Sequence, residues 1–186
     1  MNRIAGLIYA GLLLTMLSCD VTNPVDATDD PFPLTVGNRW DLVAVRDDAF
    51  LSELHYEVTG NQIVEGRRLV ILSIQYGPDD EPFNDTLEME ENGNMRFSDN
   101  SFGGRHLDFS RSDGDTYESG EYTVTVKNPF TLETPRGTFE NCIDFYFDVV
   151  GCADEESGFT FAPGIGLVRV YGAWGVDYRL KSYLLK

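Results

Sequence analysis

The chain has 186 residues, with 31 Asp and Glu against 14 Lys and Arg, a formal charge of −17 and 42 % hydrophobic residues. So acidic a surface repels phosphate backbones, which are bound by clustered Lys and Arg, and this excludes nucleic acid as a partner. The length allows one domain of ordinary size whose core needs no disulfide staples.

Residues 1–18 read as a removable export leader. A single charge, Arg3, precedes an uncharged apolar run over residues 4–17. Those 14 residues fall short of the roughly 20 that cross a hydrocarbon core, and a basic start before a short apolar stretch marks a signal peptide. The leader ends Met16-Leu17-Ser18-Cys19, which resembles the lipobox of bacterial lipoproteins. The resemblance implies cleavage before Cys19 and lipidation of that cysteine. Met16 departs from the usual leucine, and Leu17 is bulkier than the small residue usual at its place. The alternative is an ordinary cleaved leader with an incidental cysteine. Asp20 resembles a sorting signal that in some bacteria implies inner-membrane retention. The leaflet stays open, with the outer membrane favoured over the inner and the domain in the periplasm or at the cell surface.

Residues 19–33 follow as the lipidated cysteine and a tether. Three prolines, four aspartates and little apolar material cannot offset their ordering entropy, so the segment is expected to stay extended. Fully stretched it spans about 45–50 Å.

Residues 34–186 form the domain, and period-two alternation dominates it. A first strand over residues 40–46 puts Trp40, Leu42 and Ala44 on one face. Leu54, Tyr56 and Val58 alternate with Glu53, His55 and Glu57 in a second. Residues 68–76 are continuously apolar enough for a strand covered on both faces. Residues 86–91 and 94–98 flank Asn92-Gly93, which predicts a type I′ hairpin turn. Strands over 105–110 and 122–127 are separated by the turn Ser112-Asp113-Gly114-Asp115. In residues 139–149, Phe139, Ile143, Phe145, Phe147 and Val149 share one face. Residues 159–161, 167–171 and 177–185 complete the series, with Tyr178, Leu180 and Leu184 facing in. The expected fold is all-β: about ten antiparallel strands in one strongly curved meander, as a half-barrel, a barrel or a two-layer sandwich. Cys142 and Cys152 are read as separate thiols, because a straight strand between them would hold the sulfurs too far apart to bridge.

Two strings carry a second resemblance. Residues 136–142, Arg-Gly-Thr-Phe-Glu-Asn-Cys, and 161–168, Phe-Ala-Pro-Gly-Ile-Gly-Leu-Val, together with Pro-Leu-Thr-Val-Gly-Asn-Arg-Trp at 33–40, resemble a pattern recurring in uncharacterised bacterial lipoproteins and secreted proteins. The resemblance touches both ends of the domain and leaves the middle unmatched. It implies a β-rich envelope protein and carries no activity to transfer.

The chemistry-bearing residues are sparse. His55 and His106 lie on polar strand faces, and a triad assembled from His106, Asp108 and a serine lacks any nucleophile elbow or oxyanion hole. No H-E-x-x-H or C-x-x-C offers a zinc site, and Gly164-Ile165-Gly166 lacks the third glycine of a dinucleotide fingerprint. No cofactor is expected. For calcium, the acids between Asp79 and Glu91 and the pair Asp113 and Asp115 are candidates, neither in the order of a calcium loop. Trp174, in a Gly-rich turn, and Phe102, beside Gly103-Gly104, mark a candidate binding surface, because large aromatics on loops favour contact. The expectation is a non-catalytic, lipid-anchored binding or scaffold module. Its membrane contact is the anchor, and its partner is an envelope protein or small ligand. The alternatives are a hydrolase built on a carboxylate pair and a carrier of lipid or another hydrophobic ligand.

Overall fold

The computed structural model describes residues 30–45, 53–98, 104–149, 151–152 and 155–186, with Trp174 by its backbone alone. Twelve strands form one sheet. They are β1 (Arg39–Ala44), β2 (Glu53–Val64), β3 (Arg67–Tyr76), β4 (Phe83–Met89), β5 (Met95–Phe97), β6 (His106–Leu107), β7 (Thr116–Ser119), β8 (Tyr122–Thr134), β9 (Gly137–Val149), β10 (Ser157–Ala162), β11 (Gly166–Gly172) and β12 (Val176–Leu184). A 3-10 turn, Ala173–Gly175, joins the last two. The order is β6-β5-β4-β3-β2-β1-β12-β11-β10-β9-β8-β7, antiparallel throughout.

Pairing of the first strand with the last makes two six-stranded wings of one sheet, and curvature brings the short edges β6 and β7 together. Side chains close that seam: the Tyr117 hydroxyl donates to the His106 carbonyl at 2.6 Å, and the His106 amide donates to Ser119 Oγ at 2.8 Å. The result is a nearly closed barrel, one of the forms that the alternation allows.

The interior holds the predicted alternating residues. Trp40, Leu42, Leu54, Val58, Phe145 and Phe147 are fully buried. At one end the barrel is plugged. Phe32, 1 % exposed, packs its ring 4.8 Å from Trp40 and 5.0 Å from Phe161. The buried Trp40 indole donates to the Ile165 carbonyl at 2.6 Å. Gly166, at φ +96°, faces this cluster, and a Cβ there would stand 2.8 Å from Phe32 and 3.0 Å from Trp40. Glycine is therefore required by conformation and by space. The Gly164 amide donates to the Asp30 carbonyl at 2.9 Å. Residues 30–33, placed in the tether by their composition, are thus part of the domain, because Phe32 buries a whole ring there.

Several strand readings are corrected by bulges. Between β1 and β12, Asp41 pairs with Ser182 and Leu42 with Leu180, so one residue of β12 is left over. Tyr183, opposite Trp40, therefore turns in, and Leu184 turns out to 51 % exposure. In β9, Asn141 has φ +56°, and the register against β8 steps from Leu132–Phe139 to Phe130–Cys142. Phe139 thus lies on the Cys142 side, away from Ile143. The outer arm of the β8–β9 hairpin reaches β12, where the Arg136 amide donates to the Leu180 carbonyl at 3.0 Å. The outer side of β3 is half-covered, against the expectation of full cover. Only Gly93 has positive φ in the turn after β4, where its amide donates to the Glu90 carbonyl. That is a three-residue loop with a glycine bulge in place of a type I′ turn. Cys142 is buried and Cys152 exposed, both as free thiols.

Beside the seam, Asp108 accepts from Asn94 Nδ2 at 2.9 Å, Ser110 Oγ at 2.6 Å and Arg111 Nε at 2.7 Å. Burial pushes this carboxyl up, but the bonds from Ser110, Arg111 and Asn94 outweigh it and hold its pKa at about 2. A depressed folded pKa stabilises the fold above the unfolded value of ~3.9 and loses that contribution as pH falls toward about 2. Asp108→Asn should flatten this part of the acid limb when urea midpoints are compared between about pH 4 and pH 2; an unchanged slope would contradict the assignment. Phe32→Ala should cost about 3–5 kcal/mol in the same assay, against less than about 0.5 if the residue belonged to a solvated tether.

Candidate functional site

Two concave features stand out. The first is a polar groove of about 330 Å³ on the outer side of β1, β2, β3 and β12. Its centre is Asp41, which faces His55 on β2 and Ser182 on β12 in register. His55 Nδ1 lies 2.8 Å from Asp41 Oδ1, Ser182 Oγ donates to Asp41 Oδ2 at 2.8 Å, and Arg39 Nη2 donates at 3.2 Å. Burial raises the Asp41 pKa, but the bonds from His55 and Ser182 and the charge of Arg39 outweigh it, leaving it below the ordinary range. Glu53 lies 3.5 Å from His55 Nε2 and binds Lys181 at 2.9 Å. Serine, aspartate and histidine meet here in the wrong order for nucleophilic catalysis. The hydroxyl donates to the carboxylate, whereas activation needs it to donate to the imidazole.

The outer face beside the groove is laced in the same way. Lys127, Asp144, Thr160, Arg169 and Arg179 are successive cross-strand partners from β8 to β12. Asp144 accepts from Thr160 Oγ1 and from the Tyr171 hydroxyl. Burial pushes its carboxyl up, and those two bonds only partly offset the shift. Asp177 takes two bonds from Arg169, at 2.8 and 3.0 Å, and two from Arg179, at 2.9 and 3.4 Å. Burial raises its pKa, but the two arginines win and hold it low. One carboxyl is raised and one lowered, as a glycosidase acid pair would require. Both are engaged on both oxygens, however, and neither lines the groove or the second cavity.

That second cavity, of about 260 Å³, opens at the end of the barrel opposite Trp40. Its lining includes Leu54, Phe159 and Val170 together with Tyr76, Tyr171 and Tyr178, the Tyr171 hydroxyl being directed to Asp144. Arg105 is the charged residue among its lining. Arg105 enters from the segment between β5 and β6, two residues before the inward-facing Leu107, so alternation turns it inward as well. Its guanidinium lies 4.5 Å from the Tyr122 ring centre and 5.4 Å from that of Phe147, and Nη2 donates to Ser157 Oγ at 2.9 Å. Tyr56 sits next along β2 from Leu54 on the same face. Its hydroxyl is buried without a hydrogen-bond partner among the described residues. Burial pushes the Tyr56 pKa well up, the charges of Tyr76, Asp85 and Tyr178 add to this, and Arg105 opposes it. Polar groups therefore converge at this end of the barrel, beneath an apolar wall.

The candidate residues from sequence scatter. Cys19 and Phe102 lie outside the described residues. Trp174 is carried on the 3-10 turn between Gly172 and Val176, which both line the mouth. Asp113 and Asp115 both serve the backbone of their turn. Asp113 accepts from the Asn128 amide at 3.0 Å and Asp115 from the Ser112 amide at 2.9 Å, so each caps backbone in the turn before β7. The acids between 79 and 91 also disperse: Asp85 is 2 % exposed, Glu88 pairs with Arg67, and Glu90 lies 3.1 Å from His106 Nε2. Among the described residues no group of three or more His, Cys, Asp or Glu could hold a metal ion. Both histidines are partly covered and meet carboxylates, where sequence suggested solvent-facing rings. Ser110 bonds Asp108 directly, so Ser110, Asp108 and His106 do not form a triad.

No family model and no curated protein matches the sequence. Among solved structures, the chain is similar to a predicted exported protein with a YmcC-like fold from Bacteroides fragilis. The identity is 14 %, the match covers 85 % of this chain and 100 % of that one, and the TM-score is 0.54. A predicted lipoprotein from Parabacteroides distasonis also matches, at 14 % identity over 82 % of this chain and 97 % of that one, with a TM-score of 0.46. The first of these likenesses shows that the chain shares an all-β fold with the exported protein.

Proposed function

We propose that the chain is a lipid-anchored, non-catalytic binding module of the cell envelope, and that its ligand site is the barrel mouth. The observation that carries this reading is the asymmetry of the interior: aromatic rings fill the Trp40 end, while a cavity with converging polar groups opens at the other. A concave, mostly apolar site with a few placed polar groups is the usual form of a small-molecule pocket.

The leader and Cys19 supply the anchor in this reading, and the position of Asp30 supplies its direction. Asp30 joins the domain at the Gly164 turn, on the plugged end. β11 then runs from Gly166 at that end to Gly172 at the mouth, about 20 Å away. A tether arriving at the plugged end holds the mouth away from the lipid and open to the surrounding compartment. At about 260 Å³ the cavity lies just below the ~300–1,000 Å³ range of drug-sized ligand sites. A small molecule suits it better than a lipid with its acyl chains, and this weighs against the carrier alternative. The hydrolase alternative is weakened because the groove offers an Asp41 held ionised by its donors, which is unsuited to giving up a proton.

Native mass spectrometry of the protein extracted from its own membranes tests both halves. The expected mass is that of residues 19–186 plus acyl groups on Cys19, with a small-molecule adduct that leaves on denaturation. A retained leader or an unmodified Cys19 contradicts the anchor, and turnover of an offered substrate contradicts the non-catalytic assignment.

A further inference from the structure

We infer that the tip of the β2–β3 hairpin rests on the membrane that holds the anchor, with Ile63 and Val64 set into the boundary between headgroups and acyl chains. This rests on the reading of Cys19 as the lipid anchor and adds a second, non-covalent contact to it.

The hairpin outruns the barrel. The Val58 amide donates to the Asn38 carbonyl, just before β1 begins, so Val58 marks the level at which the first strand starts. β2 continues for the residues 59–64 beyond that level, about 20 Å of strand. The ribbon closes on a two-residue turn, Glu65 at φ +52° and Gly66 at φ +81°, with Val64 opposite Arg67. A Cβ at Gly66 would meet nothing within 4 Å, so the tip stands clear of the rest of the fold. Ile63 is 77 % exposed and Val64 44 %. Consecutive strand residues point to opposite faces, so the ribbon is apolar on both sides just before its turn. The β8–β9 hairpin, of similar length, ends instead on Glu133, Thr134 and Arg136. Exposed apolar side chains at a projecting tip mark a contact made outside the domain.

The position of the tip names the occupant. Ile63 pairs with Arg68, whose Nη2 lies 3.5 Å from the Leu34 carbonyl. The tip therefore stands beside the segment through which the chain enters, at the plugged end. Ten residues separate Cys19 from Asp30, and they span at most about 35 Å. A hairpin projecting from that same end lies within reach of the lipid. Charge does not oppose the contact: residues 61–68 hold Glu65 against Arg67 and Arg68, in a chain of net −17. The competing occupant is a second copy of the chain. Two apolar side chains fall far short of the roughly 800 Å² per partner that a stable protein interface buries.

The test uses the full mature protein with its acyl groups, in phosphatidylcholine vesicles containing spin-labelled lipid. Cys152→Ser removes the exposed thiol and leaves Cys142 buried. A fluorophore at Ile63→Cys should be quenched about threefold more than one at Val176→Cys on the rim of the mouth. The difference should persist in about 0.5 M salt, because the contact is apolar. A fluorophore at Val36→Cys, at the same end and exposed, reads the contact without altering the tip. Adding Ile63→Asp and Val64→Asp should lower its quenching by about twofold. Equal quenching at positions 63 and 176, loss of the difference in salt, or no change at position 36 in the doubly substituted protein overturns the inference. So does a dimer in detergent that the two aspartates break apart, which would make a second copy the occupant. The mass of the same sample separates the two readings. An acylated Cys19 with an unquenched tip removes this inference alone, whereas an unmodified Cys19 removes the anchor and the inference with it.

Discussion

The architecture depends on burying the Trp40 indole. A tryptophan ring can go fully into a core only if its N–H finds an acceptor, since an orphaned donor would cost about 1–3 kcal/mol. The acceptor is the carbonyl of Ile165, in the turn between β10 and β11 and far away in sequence. That carbonyl can approach the ring only because the next residue, Gly166, has neither a Cβ nor a preference against positive φ. Phe32 then covers the remaining edge. One hydrogen bond and one missing methyl thus join the segment before β1, the first strand and the β10–β11 turn. Two of the three recurrent strings, residues 33–40 and 161–168, fall in these segments, and packing accounts for Trp40 and Gly166 within them.

From that seal the asymmetry of the barrel follows. The plugged end is also where the chain arrives at Asp30, so the direction of the tether and the filling of the interior are set by one cluster. The open end carries Arg105, stacked on Tyr122, with Tyr76 and Tyr178 and the turn that bears Trp174. On the outside, Asp41, Asp144 and Asp177 look like catalytic material by residue type alone. Each is consumed in cross-strand bonds that hold the curved sheet in register. The acidity of the chain is in this sense partly structural and partly solvating, and the two uses are told apart by burial.

Alternation made much of the fold legible. Trp40 with Leu42, the run Leu54, Tyr56, Val58, and Phe145 with Phe147 all point inward as period two requires. What alternation could not carry were the places where the period is broken. A bulge inserts a residue for reasons that lie on the partner strand, so Leu184 and Phe139 lie on the face opposite to the one that strict alternation predicts. β7 and the two-residue β6 are too short to show a period at all, and their seam is held by side chains. Phe32 was hidden by its Asp- and Pro-rich neighbours, whose composition signals a solvated tether. At the mouth, inward-facing Leu54 and Phe159 read as core because lining a cavity and filling a core leave the same pattern. Arg105 did leave a signal: two residues before an inward leucine, a charge falls on the buried parity, where it must find partners within the fold, as it does in Tyr122 and Ser157.

The barrel is sealed at the Trp40 end, and the indole N–H of Trp40 reports on that seal directly. The chain has two tryptophans, so its proton spectrum should hold two indole N–H resonances, with that of Trp40 assigned by its loss in Trp40→Phe. Hydrogen exchange at Trp40 should be as slow as at the most protected core amides, requiring global unfolding. Exchange on the timescale of surface amides would mean that water reaches the plug, and the picture of a barrel closed at its tethered end would be wrong.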